Sequence, residues 1–135
     1  MPIAIADTGP LILLADKESA NVALEWLESV QRLDISVLVP AGVATEFLRG
    51  ARDETRAYWW LSHMQGLNTT YDTGRRAGRL LRSLADNAVS VVDAQVVQHA
   101  IELGAAILTS DPDDIRRLVG VSGTRILVRQ LPWPS

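Results

Sequence analysis

Carboxylates that follow predicted strands are the residues in this sequence best placed to do chemistry. Asp7 directly follows the apolar run Pro2–Ala6, and Asp111 follows the apolar run Ala105–Thr109 after one serine. Continuous apolar runs of this length are typical of buried strands. Ligands of open parallel sheets bind beyond the carboxyl ends of the strands. Asp7 and Asp111 are therefore candidate site residues, although a turn residue and a helix N-cap are open alternatives.

A third carboxylate, Asp93, lies inside a predicted helix that begins after Ser90. At about 100° per residue, Asp93 falls in the middle of the apolar arc, beside Val96 and Val97. An ionised carboxylate buried there costs several kcal/mol unless it is paired or bound to a metal. The helical phase favours a functional role for Asp93 over the alternative, a capping residue.

Of the four candidate acids, Glu46 has the weakest sequence evidence for a functional role. In the predicted helix Val43–Ala51 it lies off the apolar stripe, and spacing alone favours an exposed pair with Arg49. If all four acids meet at one sheet edge, they repel and raise one another's pKa values. A hard divalent cation, Mg²⁺ or Mn²⁺, stabilises such a cluster and activates water for attack on a phosphodiester.

The elements that must position these acids alternate along the chain. The predicted strands are Pro2–Ala6, Ile35–Val39, Leu67–Tyr71, Ala105–Thr109 and Arg125–Gln130. The predicted helices are Pro10–Ala15, Ser19–Arg32, Val43–Ala51, Glu54–Gln65, Asp72–Asp86, Ser90–Leu103 and Pro112–Val119. This alternation predicts the α/β class, as a three-layer α/β/α sandwich with a mostly parallel central sheet. The tail Leu131–Ser135 is not expected to extend the sheet far.

Composition narrows the class of protein. A chain of 135 residues with 47% apolar residues predicts one domain, 1–135. The absence of cysteine excludes disulfides, thiolate metal sites and a cysteine nucleophile. With a net charge of −3, contact with nucleic acid requires a local basic patch. No apolar run is long enough for a membrane span, and the first residues lack a basic segment, so a cytoplasmic location is expected.

Motifs of other phosphate-handling α/β proteins are missing. The sequence has no G-x-G-x-x-G after its first strand and no P-loop. A dehalogenase-type phosphatase needs a second aspartate where Gly9 stands, and a receiver domain needs a lysine late in the chain. Lys17 is the one lysine present, so neither fits.

Four segments, taken in order, resemble the PIN-domain ribonucleases: Asp7–Ile12, Ala44–Phe47, Ser90–Ala94 and Leu108–Pro112. The small size and the opening Asp-Thr-Gly-Pro-Leu are similar to the VapC toxins of type II toxin–antitoxin systems. The resemblance spans essentially the whole chain.

The resemblance implies an endoribonuclease that uses Mg²⁺ or Mn²⁺ to cleave structured RNA such as tRNA or ribosomal RNA. It implies four catalytic acids: Asp7, Glu46, Asp93 and Asp111. Of these, Asp7, Asp93 and Asp111 would be the principal metal ligands, with Glu46 holding the metal or its water from the side. A cognate antitoxin and a homodimer are the implied protein partners. The alternative is a catalytically silent PIN-fold module that binds RNA or protein.

Three further residues enter through the resemblance. Thr109 matches the hydroxyl that precedes the fourth acid in the family and would orient it. Asp114 is an additional candidate ligand, and Asp113 is a weaker one.

Arginines on one predicted helix offer a possible basic patch. Arg75, Arg79 and Arg82 share one face of the helix Asp72–Asp86. A solvated face is one interpretation of this pattern, and a binding surface for RNA or antitoxin is the other.

The aromatic cluster Tyr58-Trp59-Trp60 cannot bury both tryptophans on one narrow helical stripe. We expect one tryptophan in the core and the other in a dimer or antitoxin interface. His63 and His99 show no metal spacing and are expected at the surface or in local hydrogen bonds.

Overall fold

A parallel five-stranded sheet lies at the centre of the computed structural model, which describes residues 2–131. Its strands are β1 (Ile3–Ala6), β2 (Ser36–Pro40), β3 (Gln65–Leu67), β4 (Ala106–Thr109) and β5 (Val128–Gln130). The order across the sheet is β3-β2-β1-β4-β5, and every pairing within it is parallel. The predicted short tail lies outside the described residues beyond Leu131.

Seven helices surround the sheet within the described residues. They are α1 (Thr8–Ala15), α2 (Ala20–Arg32), α3 (Ala41–Gly50), α4 (Glu54–Ser62), α5 (Tyr71–Leu84), α6 (Val91–Leu103) and α7 (Pro112–Ser122). Among residues 2–131, no helix combines the length and apolar character needed to cross a membrane.

Helices α2 and α6 cover opposite faces of the sheet. Val30 of α2 and Ala4 of β1 line one cavity, whereas Ala100 of α6 and Ile3 of β1 line another. Successive strand residues point to opposite faces, so the two helices lie on different sides. Helix α5 packs on α6 and α7. The predicted three-layer α/β/α sandwich is confirmed.

The central strands are buried on both faces, as their continuous apolar sequences predict. Ala4, Ile5 and Ala6 of β1 are all buried. In the register of the sheet, Ala6 lies beside Leu108 of β4, and the Asp7 N–H donates to the Leu108 carbonyl at 2.8 Å. The carboxyl ends of β1 and β4 therefore meet at one edge.

The third strand differs from its predicted position. We expected a strand at Leu67–Tyr71, but β3 comprises Gln65–Leu67 and Tyr71 begins α5. The Thr70 hydroxyl accepts the Thr73 N–H at 3.2 Å and caps α5, so these β-favouring side chains serve a helix start instead. Helix α4 correspondingly ends at Ser62, earlier than the predicted Gln65.

Candidate active site

Asp7 is buried at the junction of β1 and α1, and both of its carboxylate oxygens are held. Oδ1 accepts the Thr8 N–H at 2.8 Å, which caps α1, and Oδ2 accepts the Thr109 hydroxyl at 2.8 Å. Burial raises the pKa of Asp7, the two hydrogen bonds oppose that rise, and Glu46 and Asp111 add to it. Asp7 is therefore a fixed carboxylate at the carboxyl edge of the sheet.

Glu46 of α3 is tied to the same junction. The Thr8 hydroxyl donates to Glu46 Oε2 at 3.0 Å across 38 positions of sequence. Glu46 is half-buried and makes no ion pair with Arg49 among residues 2–131, so the exposed pair that spacing favoured is wrong. Because Thr8 contacts Asp7 through its N–H and Glu46 through its hydroxyl, one residue orients two acids. Sequence reasoning did not single out Thr8, although it stands in the matched segment that opens at Asp7.

Asp93 lies half-buried in the first turn of α6. The Ser90 hydroxyl caps this helix by accepting the N–H groups of Val92 and Asp93 at 3.0 and 3.3 Å. The Asp93 carboxylate itself makes no hydrogen bond or ion pair with residues 2–131. Burial raises the pKa of Asp93 to about 7. Other acids raise it further, in decreasing order: Asp7, Glu46, Asp114 and Asp111.

Asp93, which the helical phase predicted to point inward, faces other acids in the folded protein. Acids from α3, α7 and the strand ends lie close enough to Asp93 to oppose its ionisation. The structure therefore brings all four sequence-predicted acids into one electrostatic neighbourhood, with Asp114 as a fifth member.

Asp111 occupies the N-cap position of α7, but its side chain makes no cap hydrogen bond. Asp111 is exposed, and its carboxylate makes no hydrogen bond or ion pair with residues 2–131. The Asp111 N–H donates to the Thr109 hydroxyl oxygen at 3.1 Å, while that hydroxyl donates to Asp7. Fully buried Thr109 thus contacts the backbone of Asp111 and the carboxylate of Asp7.

Asp114 is half-buried, and its Oδ1 lies 3.2 Å from Nη1 of Arg117. Asp113 is exposed and is not among the acids that raise the pKa of Asp93. Of the two acids after Pro112, Asp114 is therefore the one that faces the site.

The chemistry of this donor set fits a hard cation. Its groups are carboxylate oxygens, the ligands that Mg²⁺ and Mn²⁺ prefer. As the side chains of residues 2–131 stand, no three of their acids and histidines are close enough to hold one ion. The carboxylates of Asp93 and Asp111 have no hydrogen bonds that restrain their rotation within that range. Binding of one ion by three of these acids would therefore require side-chain rotation toward the fixed carboxylate of Asp7.

The arginines of α5 differ along the helix in whether they form ion pairs. Arg75 and Arg76 form exposed ion pairs with Asp72 at 2.6 and 3.1 Å. Arg79 and Arg82 are also exposed, and neither forms an ion pair with another described residue. The C-terminal half of α5 therefore carries the uncompensated positive charge.

The orientation of α5 places that charge toward the acids. Thr73, near the start of α5, donates to Glu102, near the end of α6, at 2.9 Å. The two helices are thus antiparallel, and Arg82 lies at the end that leads into the N-terminus of α6.

The two tryptophans of the aromatic cluster differ in burial, as expected. Trp60 packs against the hydrophobic core, whereas Trp59 is 53% exposed and stacks on His63 with a centroid distance of 4.1 Å. Tyr58 is exposed as well. Helix α2 and the start of β2 complete a cavity of about 420 Å³ beside the two tryptophans. The cavity lies at the amino edge of the sheet, away from the acids.

His99 lies in the interior rather than at the surface. It is 2% exposed, and its Nε2 lies 2.7 Å from the Thr69 hydroxyl oxygen, a hydrogen bond across 30 positions of sequence and not the local one expected. Burial lowers the pKa of His99, and Glu102 opposes that shift. The polar side of α6 is buried because α5 packs over it, a contact that helical periodicity alone does not reveal.

The chain matches one known domain family over most of its length. The family model for the PIN domain matches residues 4–120, which include all the acids of the site. The chain belongs to the PIN domain family. A sequence comparison with curated proteins gives no significant match for this PIN-domain protein.

Solved structures share the PIN-like fold over most of its length. VapBC2 from Rickettsia felis, bound to a promoter DNA fragment, has a TM-score of 0.75 at 14% identity, with 95% of this chain and 98% of the other covered. VapC20 from Mycobacterium tuberculosis, a toxin that cleaves the sarcin–ricin loop, has a TM-score of 0.68 at 16% identity, covering 90% and 96%. A toxin–antitoxin complex from Klebsiella pneumoniae has a TM-score of 0.63 at 21% identity, covering 82% and 88%. These similarities concern the fold.

Proposed function

We propose that this PIN-domain protein is a metal-dependent endoribonuclease and the toxin of a type II toxin–antitoxin pair. It would cleave structured RNA, tRNA or ribosomal RNA, with metal-activated water. The observation that carries the proposal is the surroundings of Asp93, whose pKa rises to about 7 through burial and four nearby acids. A half-buried carboxylate among like charges fits a cation site. The fold of VapC20, which cleaves the sarcin–ricin loop, supports RNA as the substrate.

The proposed mechanism assigns a task to each side chain. A Mg²⁺ or Mn²⁺ ion held by Asp7, Asp93 and Asp111 would supply a bound water of lowered pKa and positive charge beside the phosphate. Thr109 fixes Asp7 through its hydroxyl. Glu46, oriented by Thr8, would hold the attacking water from the side. With a pKa of about 7, the Asp93 carboxyl must lose its proton before it can act as a ligand.

The proposed protein partner is a cognate antitoxin. Similar folds occur in VapBC2 and in the complex from Klebsiella pneumoniae, which supports such a partner. We assign its docking to the exposed Trp59, its neighbour Tyr58 and the adjoining cavity, because exposed aromatic side chains are enriched in interfaces. We further propose that residues 1–135 form one domain and that the protein acts in the cytoplasm. The homodimer stays a prediction, which light scattering of the purified protein tests.

The deciding experiment is cleavage of a mixed tRNA and ribosomal RNA pool by the purified protein. Reactions contain Mg²⁺, Mn²⁺ or EDTA and compare wild type with Asp93→Asn. Asp113→Asn is the matched control, because Asp113 is an exposed acid outside the site. We expect discrete metal-dependent fragments from wild type and Asp113→Asn, and at least a hundredfold fewer from Asp93→Asn, on the order of the loss typical for a catalytic group.

Equal cutting by wild type and Asp93→Asn would contradict the assignment of Asp93 to the catalytic site. Absence of all cutting, together with no Mn²⁺ binding by wild type, would favour the silent binding module instead.

A further inference from the structure

An arginine outside the acidic cluster contacts one of its members. Nη1 of Arg117, in α7, lies 3.2 Å from Oδ1 of Asp114, one turn earlier. Asp114 in turn raises the pKa of Asp93. The contact leaves Asp114 Oδ2 without a partner among residues 2–131, on a carboxylate whose orientation Arg117 restrains.

The second arm of the same guanidinium reaches a different part of the chain. Nη2 of Arg117 lies 2.9 Å from Oδ2 of Asp86, in the connection between α5 and α6. Asp86 also organises that connection, because its Oδ1 accepts the Ala88 N–H at 2.9 Å and its carbonyl accepts the Val89 N–H at 3.3 Å. Directly after Val89 comes the residue that caps the helix of Asp93.

We propose that Arg117 is a positioning residue for the candidate metal site, acting as a two-ended bridge that sets α7 and its Asp114 against the connection that delivers Asp93. This inference rests on the proposed function, since it concerns binding of the divalent cation by the same acids. Asp86 is the second anchor of this bridge, although it lies outside the acidic cluster. Arginine suits the task because its planar guanidinium presents two nitrogens in a rigid fork, which the single nitrogen of lysine cannot do.

The charge of Arg117 and its positioning role predict opposite effects on cation binding when Arg117 is replaced. A positive charge beside a cation site repels the cation, so an effect of charge alone predicts tighter cation binding once Arg117 is neutralised. Positioning predicts weaker binding, because the carboxylates lose their mutual placement. A charge-conserving substitution separates the two effects: Arg117→Lys keeps the charge and removes the fork.

The test is the dissociation constant for Mn²⁺, measured from the free Mn²⁺ signal in electron paramagnetic resonance. The proteins are wild type, Arg117→Lys, Asp86→Asn and the matched control Arg116→Lys, whose side chain is exposed at the neighbouring position. Asparagine at position 86 keeps the acceptor for the Ala88 N–H and loses the charge that attracts Arg117. We expect Arg117→Lys and Asp86→Asn each to bind Mn²⁺ about tenfold more weakly, the lower end for groups that orient metal ligands, because the bridge is partly exposed. The control should bind as wild type does.

A second readout is taken on the metal-free protein. Hydrogen exchange at the Ala88 and Val89 amides should quicken in Arg117→Lys and stay unchanged in Arg116→Lys. The double variant Asp86→Asn with Arg117→Lys should bind Mn²⁺ no more weakly than either single variant, because both remove the same bridge.

Unchanged or tighter Mn²⁺ binding by both Arg117→Lys and Asp86→Asn would overturn the inference while the proposed function stands. If wild type itself binds no Mn²⁺, the proposed function fails and this inference fails with it. If Arg117→Lys does not fold, Arg117→Gln gives the decision, since loss of its positive charge alone predicts tighter Mn²⁺ binding and loss of the bridge predicts weaker binding.

Discussion

At the scale of single residues, burial and like charge decide the state of the acids. Asp93 combines both effects, and its pKa of about 7 lies far above the usual value of 3.8. Asp72 shows the opposite behaviour, because Arg75 and Arg76 lower the pKa of its exposed carboxyl. An aspartate is therefore hard to ionise at the buried site, where other acids surround it, and easy to ionise on the surface, where arginines pair with it.

The shift of Asp93 predicts a pH dependence of stability. The fold favours the protonated form of Asp93, so its contribution to stability is full below about pH 4 and is lost as the pH rises through about 7. In EDTA, Asp93→Asn should match wild type near pH 4 and become progressively more stable than wild type toward pH 8. Urea denaturation at several pH values measures this difference.

Asp72→Asn provides a control of opposite sign, because the pKa of Asp72 is lowered in the fold. Its loss of stability should be absent at low pH, grow as the pH rises to about 4 and stay constant above that, because wild-type Asp72 ionises below its usual pKa in the fold. A difference between Asp93→Asn and wild type that does not change with pH would contradict the assigned environment of Asp93.

At the scale of elements, close packing joins the first and last segments of the site. A Cβ added at Gly9, in the first turn of α1, would lie 1.7 Å from Ser110 Oγ and 2.9 Å from Ser110 Cβ. No side chain fits there without displacing the residue between Thr109 and Asp111. Gly9 is thus required by the contact between the ends of β1 and β4.

Gly9→Ala should destabilise the protein by about 1–3 kcal/mol, the cost of overpacking, despite the better helix propensity of alanine. Gly74→Ala is the matched control, because Gly74 lies inside α5 with no other atom within 4 Å of the added Cβ. It should stabilise the protein by up to about 1 kcal/mol. Urea denaturation midpoints compare the two variants.

Adding Ser110→Gly to Gly9→Ala should recover part of the lost stability, since it removes both clashing atoms. If Gly9→Ala were as stable as wild type, this result would contradict the close contact between Gly9 and Ser110 at the two strand ends.

At the scale of the whole molecule, two surfaces of different chemistry lie at opposite ends. The uncompensated arginines, Arg79 and Arg82, lie toward the acidic edge of the sheet. The exposed aromatic surface around Trp59 lies beside the amino ends of β2 and β3. Because the net charge is −3, we expect the proposed RNA substrate to bind at a local basic patch.

Neutralising the patch should weaken RNA binding and flatten its salt dependence. For Arg79→Gln combined with Arg82→Gln, the slope of log K against log salt should fall in magnitude by about 1.4–1.8, since each lost phosphate contact contributes about 0.7 in single strands and about 0.9 in duplexes. Fluorescence anisotropy with labelled RNA in Ca²⁺, at several salt concentrations, measures this slope. Arg75→Gln should change it less, because Arg75 is paired with Asp72.

Trp59→Ser is the control from the other end of the molecule and should leave RNA binding unchanged. If the double arginine variant keeps the wild-type slope, the arginine face is only a solvated helix surface.

Much of the fold was predictable from the sequence. Alternating apolar strands and amphipathic helices have local signatures, so the parallel sandwich followed from periodicity. The position of Asp7 after a strand and the inward phase of Asp93 are likewise local properties. The sequence could not place β3, because Thr70 and Tyr71 favour strands by propensity, but Thr70 caps and Tyr71 begins a helix here.

Tertiary structure alone decided which side chains act together. The contact of Thr8 with Glu46 and the bridge from Arg117 to Asp86 join residues far apart in sequence. The burial of His99 under α5 follows from helix packing, which outweighs the polar phase of its position. Local pattern determines which faces and strand ends carry carboxylates, because helical and strand periods are properties of neighbouring residues. Distances across the sheet edge set their pKa values and partners, because electrostatic and hydrogen-bond energies depend on separation in space.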